Sequence, residues 1–168
     1  MSDDRFRPPS APVADHVSSE VEYVGFWARV GASLIDWVLI LAVTYPILVA
    51  VYGVAYFDTQ GLAGPVDALV SWLFPAVASI AFWLTRQATP GKMAISARVV
   101  DARTGRRIGA GQALIRYLGY FISFLPLGLG ALWVVFDRRK QGWHDKLART
   151  VVVRPRRSSP EPVRFEAA

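Results

Sequence analysis

An all-α transmembrane fold carrying a small cytoplasmic β element is the class this sequence predicts, and three observations predict it. The 168 residues are 53% hydrophobic with a mean hydropathy of +0.30, beside a formal net charge of +6. The charge is segregated: no Lys or Arg lies between Val30 and Thr85, and most of the positive charge follows that stretch. Three hydrophobic segments, about residues 26–57, 66–85 and 113–136, account for the hydropathy, and basic stretches flank them. A bilayer imposes this pattern, because charge is costly in hydrocarbon and Lys and Arg gather in cytoplasmic loops. A pI near 10.1 could also suggest nucleic acid, but the basic stretches flank apolar runs instead of forming a soluble face, so no nucleic-acid partner is expected.

The opening "MSDDRFRPPSAPVADHVSSE" holds Pro, Ser and acids without an apolar core or cleavage pattern, so it is not read as a signal peptide. Residues 1–24 are expected as a disordered cytoplasmic leader, 25–153 as the membrane domain, and 154–168 as a disordered basic tail. As a helix, the first run would be about 48 Å long against a hydrocarbon core of about 30 Å, so it tilts, breaks or starts below the membrane. Trp37 to Phe57 alone suffices to span, which puts Arg29 and Asp36 in the headgroup layer. Pro46 and Pro75 are expected to kink the first and second runs. The connection "DTQGLAGPVD" has two acids and no basic residue, and Trp72 and Trp83 lie near the ends of the second run, where indoles favour the interface.

The next stretch, "RQATPGKMAISARVVDARTGRRIGAGQA", opposes six basic residues to one acid, Asp101, and is therefore read as cytoplasmic, with the N-terminus on the same side. "ISARVVDARTGRRIG" has β-branched residues on both sides of a Thr-Gly turn and predicts a small hairpin. The third run, "ALIRYLGYFISFLPLGLGALWVVF", leads into a tail with nine basic residues against four acids. A single crossing would put that tail outside. Two readings stay open: the run spans, overriding the charge rule, or it turns at "LPLGLG" as a re-entrant helical hairpin. "RTVVVRP" reads as a strand whose natural partner is "ISARVVD", which favours the hairpin because an unpaired strand edge is a liability.

Arg29 and Asp36 are seven apart, about 20° from one helix face and about 10 Å along the axis, too far to pair directly. Each needs a partner elsewhere. Arg116 and Asp137 bracket the third run, and a hairpin would bring them to the same depth. Ionisable groups near hydrocarbon are expensive unpaired, so a network across helices is expected. It either fixes how the helices dock or forms a cation or proton site, with Asp36 or Asp137 exchanging.

"ARVGASLIDWVLI", "TPGKMAISARVVD", "ALIRYLGY" and "FDRRKQGWHDKLARTVVV" together resemble the RDD family of membrane proteins, from about Phe26 to Val153. Arg29 and Asp36 match the family's first-helix Arg and Asp, and Asp145 matches its third named residue, with Asp137 the other candidate for that place. The resemblance implies a multi-pass protein of the bacterial cytoplasmic membrane, with some members associated with cation/proton antiport. The expected polar network or ion site is then Arg29, Asp36, Arg116, Asp137 and Asp145. The expected function is transport-related; the alternative is a non-catalytic assembly or scaffold protein whose basic cytoplasmic face binds a partner or anionic lipid. Membrane lipids are the expected partners, with a homo-oligomer or membrane-protein partner because three segments are few for enclosing a pathway.

Other motifs carry less. "TPGK" lacks the spacing of a phosphate loop and reads as a helix stop, with Pro90-Gly91 ending the second helix and Lys92 facing lipid phosphates. His144-Asp145 lacks further ligands for a metal and reads as the cap of a short surface helix. With no Cys, and no Ser that the sequence can place beside both a His and an acid, neither an enzyme nor a cofactor is expected.

Overall fold

The computed structural model describes residues 21–156. The expectations of disorder for residues 1–20 and 157–168 lie outside it. Among the described residues the fold is mostly helical, with two helices long and apolar enough to cross a membrane, one bent helix pair as a third candidate, and one antiparallel three-stranded sheet.

The short strand β1 (Val21–Tyr23) leads through Val24 and Gly25 into α1 (Phe26–Tyr52). Residues 21–23 were expected in the leader; they are instead an edge of the sheet. α1 is 27 residues, about 40 Å at 1.5 Å per residue, contains an 18-residue apolar window of mean hydropathy 2.3, and continues through Pro46. It stops at Gly53, whose φ of 75° suits glycine and whose N–H donates to Val49 O at 2.8 Å. The first run therefore ends as a helix five residues before Phe57, and a 3₁₀ turn, Val54–Asp58, follows. Buried Asp67 ties down the ensuing connection by accepting from Ser71 Oγ at 2.6 Å, Ala63 N at 2.9 Å and Tyr56 OH at 3.1 Å.

α2 (Pro65–Arg86) begins on a proline, where the missing N–H costs nothing, and carries one π turn at Leu69–Leu73. The wide turn directly precedes Pro75, the residue whose ring and missing donor disfavour an ordinary α turn. α2 closes at Gln87, left-handed at φ 58°, whose N–H donates to Trp83 O at 3.1 Å. The helix stop therefore comes before Pro90. Pro90-Gly91 instead opens a new short helix, α3 (Pro90–Ala94), which corrects the reading of "TPGK".

β2 (Arg98–Asp101) follows, and the expected hairpin around Thr104-Gly105 is reduced to a single bridge from Val100 to Arg107. α4 (Ala110–Phe124) begins at Gly109, whose N–H donates to Gln112 Oε1 at 3.1 Å. Gly128, left-handed at φ 78°, then turns the chain into α5 (Leu129–Val135), and the two helices meet at 111°. α6 (Trp143–Leu147) leads into β3 (Thr150–Pro155).

β3 is the central strand. It pairs antiparallel with β2, Val99 facing Val152, and with β1, Glu22 facing Arg154. Val24, Val99 and Val152 pack with Ile108, Ala113 and Trp83 against the helix ends, while Val100, Val151 and Val153 pack on the other face with Val21 and Tyr23. The core lies at this end. Along the helices, burial is slight: 11% of the apolar window of α1 and 6% of that of α2. Large side chains such as Leu34, Val38 and Leu118 face outward, a surface that water penalises by about 1.5–3 kcal/mol per side chain and that hydrocarbon accepts.

Candidate functional site

The buried end of the molecule is organised by Asp145, fully enclosed at the third position of α6. Its Oδ2 accepts from Arg29 NH1 at 2.5 Å and from Gly142 N at 3.1 Å; its Oδ1 accepts from Arg116 NH1. Arg29 also donates through Nε to Val24 O at 3.0 Å and through NH2 to Lys140 O at 2.6 Å. One guanidinium thus ties α1 to the exit of β1, to the loop after α5 and to α6. Arg116, wholly buried on α4, donates to Thr150 Oγ1 at 2.5 Å, which extends the cluster to β3.

The aromatic neighbours of Arg116 are Trp83 and Tyr120, with ring centroids 5.3 and 5.9 Å from its Cζ. Its Nε and NH2 have no hydrogen-bond acceptor among the described residues and lie in this aromatic setting, where a cation gains from the ring faces. Trp83 is therefore a core residue, 2% exposed, and not the interfacial indole expected. Trp72 is exposed, as an interfacial residue would be.

Burial pushes the Asp145 carboxyl up, but Arg116 and Arg29 outweigh it and hold the group well below the usual carboxylate range. Burial pushes His144 down, to about 3, with Arg116 and Arg29 acting in the same direction against Asp145. At neutral pH the centre is therefore one carboxylate, two guanidinium groups and an uncharged imidazole.

Ser123, fully buried, lies beside this imidazole, with Oγ accepting from His144 N at 3.0 Å and standing 3.2 Å from Nδ1. This corrects the expectation that no serine could be placed by a His and an acid: α4 brings Ser123 there from 21 residues away. His144 Nε2 is 3.6 Å from Asp145 Oδ1, too long for a hydrogen bond, and that carboxylate is committed to arginine. The trio is a packed contact without the proton relay that nucleophilic catalysis needs. Close approach is allowed by Gly119, where a Cβ would come within 2.9 Å of His144 Cα.

Asp36 and Asp137 stand apart from this cluster, so the single network of five expected from the sequence divides. Asp36 accepts from Thr89 Oγ1 at 2.5 Å and from Gly91 N at 2.7 Å. Gly91 is required there, since a Cβ would collide with the Ala32 carbonyl of α1. Asp137 pairs with Lys146 Nζ at 2.5 Å and accepts from Arg139 N and Gln141 N at 3.0 and 3.1 Å. Burial opposes the Asp137 charge, but Lys146 together with the backbone N–H groups of Gln141 and Arg139 outweighs it, so that carboxyl also lies below its ordinary range.

Asp36 lines a groove of about 650 Å³ between α1, α2 and α4, walled by Trp37, Ile40, Phe82 and Phe121 and floored by Thr89 and Lys92. Thr89 and Gly91 were missed as partners because they lie 53 and 55 positions from Asp36. A hydroxyl and a glycine directly after an apolar run were the available signal. Among the described residues, no group of three or more His, Cys, Asp or Glu could hold a metal ion.

Comparison with known proteins adds the following. The family model described as the RDD family matches residues 23–149. The chain is 37% identical over 75 residues to an uncharacterized protein of Rickettsia prowazekii, covering 45% of this chain and 41% of that one. It is 28% identical over 152 residues to a proline-rich antigen homolog of Mycobacterium tuberculosis, covering 78% of this chain and 63% of that one. It is 29% identical over 137 residues to the uncharacterized membrane protein YteJ of Bacillus subtilis, covering 78% and 80%. The chain thus spans less than two thirds of the rickettsial and mycobacterial relatives. No solved structure matches.

Proposed function

The chain belongs to the RDD family, and on that premise we propose that it takes part in membrane transport, handling a cation or proton at Asp36. The observation that carries this reading is a carboxylate on an apolar helix facing a groove between helices, where an ionisable group is expensive unless it is used. Asp145 is unsuited to the task, because two arginines hold its charge in place. The reading is non-enzymatic and assumes no cofactor. It also requires an oligomer, since two or three crossing segments are few for enclosing a path.

In the proposed orientation the N-terminus and the sheet lie on the cytoplasmic side of a bacterial membrane, and the third run re-enters. Support comes from β3, which follows that run yet joins β1 and β2 in one sheet, and from the 111° bend between its halves. Single cysteines at Arg106 and Ser159 test it in intact cells with a membrane-impermeant thiol reagent. Both should be protected; labelling of Ser159 alone would mean a simple third crossing.

The transport reading is tested in proteoliposomes by cation-driven proton flux, with Asp36→Asn. Flux should be abolished while protein abundance holds. Equal flux in the variant, or none in the wild type, removes the reading. An assembly or scaffold role is the second reading, favoured by a pocket of about 630 Å³ that collects Arg86, Arg98 and Arg107 near the sheet. None of these guanidinium groups is paired among the described residues, so the pocket suits an acidic partner or anionic headgroup. Replacing all three with Gln should release such a partner and leave flux unchanged.

A further inference from the structure

We infer that the groove beside Asp36 holds one zwitterionic phospholipid, its phosphate on Lys92, its ammonium toward Asp36, and an acyl chain along the aromatic walls. The inference stands on the groove and on Lys92, and it holds whether or not Asp36 exchanges a cation.

Lys92 carries the argument. It is only 6% exposed, yet its ammonium makes one hydrogen bond among the described residues, a long one of 3.4 Å to Thr89 Oγ1. An ammonium has three donors, and a buried charge is ordinarily paired and hydrogen-bonded. Asp36 does not serve as that partner: its two oxygens accept from Thr89 and Gly91, and no ion pair joins it to Lys92. Two unused donors of a buried cation therefore border a cavity, and they call for an anionic acceptor inside it.

The cavity says what else that anion carries. At about 650 Å³ it falls in the range of ligand pockets, roughly 300–1,000 Å³, and its walls are apolar well beyond the floor. A free phosphate would make no contact with the apolar wall of Phe74, Phe82, Phe121 and Phe124. A plain hydrocarbon chain would leave Lys92 unanswered. An amphiphile with a phosphate at one end satisfies both.

The charge pattern narrows the headgroup. Thr89 Oγ1 is 2.5 Å from the Asp36 carboxylate and 3.4 Å from the Lys92 ammonium, so opposite charges flank one hydroxyl. A headgroup with adjacent phosphate and ammonium complements that pair. A purely anionic headgroup would meet Asp36 with like charge.

The test uses the full chain, extracted in mild detergent, stripped of lipid and titrated with phosphatidylethanolamine or phosphatidylglycerol under native mass spectrometry. One phosphatidylethanolamine should be retained, at least tenfold more tightly than phosphatidylglycerol. Lys92→Met keeps an unbranched side chain one atom shorter, without its charge, and should lower retention of either lipid at least tenfold. Asp36→Asn should reverse the preference toward phosphatidylglycerol, a change of selectivity that misfolding does not produce. Equal retention by Lys92→Met, equal binding of the two lipids by the wild type, or a lipid-free dimer closed over the groove would each overturn the inference. None of these readouts measures ion flux, so failure here is distinguishable from failure of the transport reading.

Discussion

Asp145 and Asp36 are both carboxylates held near helix ends, but their surroundings differ in kind. Asp145 has no exposure, two arginines and a place where α1, α4, α6 and β3 converge. Asp36 is partly exposed, bonded to one hydroxyl and one backbone N–H, and borders open space. The first is a structural knot whose charge is fixed; the second is a site whose environment another molecule can enter. The two carboxylates therefore need not share one role, and the contrast predicts how each behaves when removed.

The largest effect is expected at Asp145. Asn there leaves two buried guanidinium groups without a counter-charge and should cost about 3–5 kcal/mol, read as a lowered unfolding midpoint in detergent and loss of protein from the membrane. Asp36→Asn keeps one acceptor for Gly91 and should cost about 1 kcal/mol. Equal losses would erase the distinction between knot and site.

Acidification gives an intermediate effect with a fixed sign. His144 titrates at about 3 in the folded chain against an ordinary 6.5, so the unfolded chain binds the proton first as pH falls. Stability should then decline by up to about 1.4 kcal/mol per unit below pH 6.5, because the folded state cannot accept that proton. Asp145 adds a further loss below its unfolded value near 3.8, where only the unfolded carboxyl protonates. His144→Gln should flatten the slope between pH 6.5 and 4. A slope unchanged in that variant would place the titrating group elsewhere.

The smallest effect belongs to Asp137→Asn. Its partner Lys146 is 43% exposed, and solvent screening limits such a pair to about 0–1 kcal/mol. A loss as large as that of Asp145→Asn would move Asp137 into the knot.

How much of this was legible follows from how local each signal is. The apolar runs and the pairing of "ISARVVD" with "RTVVVRP" were readable, because hydropathy and β-branching are written in consecutive residues. Arg29 and Arg116 were readable as charges that needed partners, whereas Asp145 entered only through the family resemblance and read from its neighbours as the cap of a short surface helix; the convergence of both arginines on it was not legible. β1 was hidden because three residues, Val21–Tyr23, are too few to display a period. Trp83 misled because an indole near a helix end looks the same whether it faces headgroups or packs beside an arginine. The partners of Asp36 and the placement of Ser123 depend on glycines that let elements touch, at Gly91 and Gly119, and spacing alone does not reveal such approaches.

The strand order has a consequence for biogenesis. β3 is last of the three strands in sequence and central in space, so β1 and β2 never bond to each other. A chain emerging from the ribosome can place its apolar helices in the bilayer well before residue 150 exists, yet both earlier strands must wait with open edges. Arrival of β3 and the Asp145 knot closes the sheet and neutralises the arginines together. The fold thereby carries its own completion check: a chain interrupted before β3 has two strands without their shared partner and lacks the contact of Arg116 with Thr150.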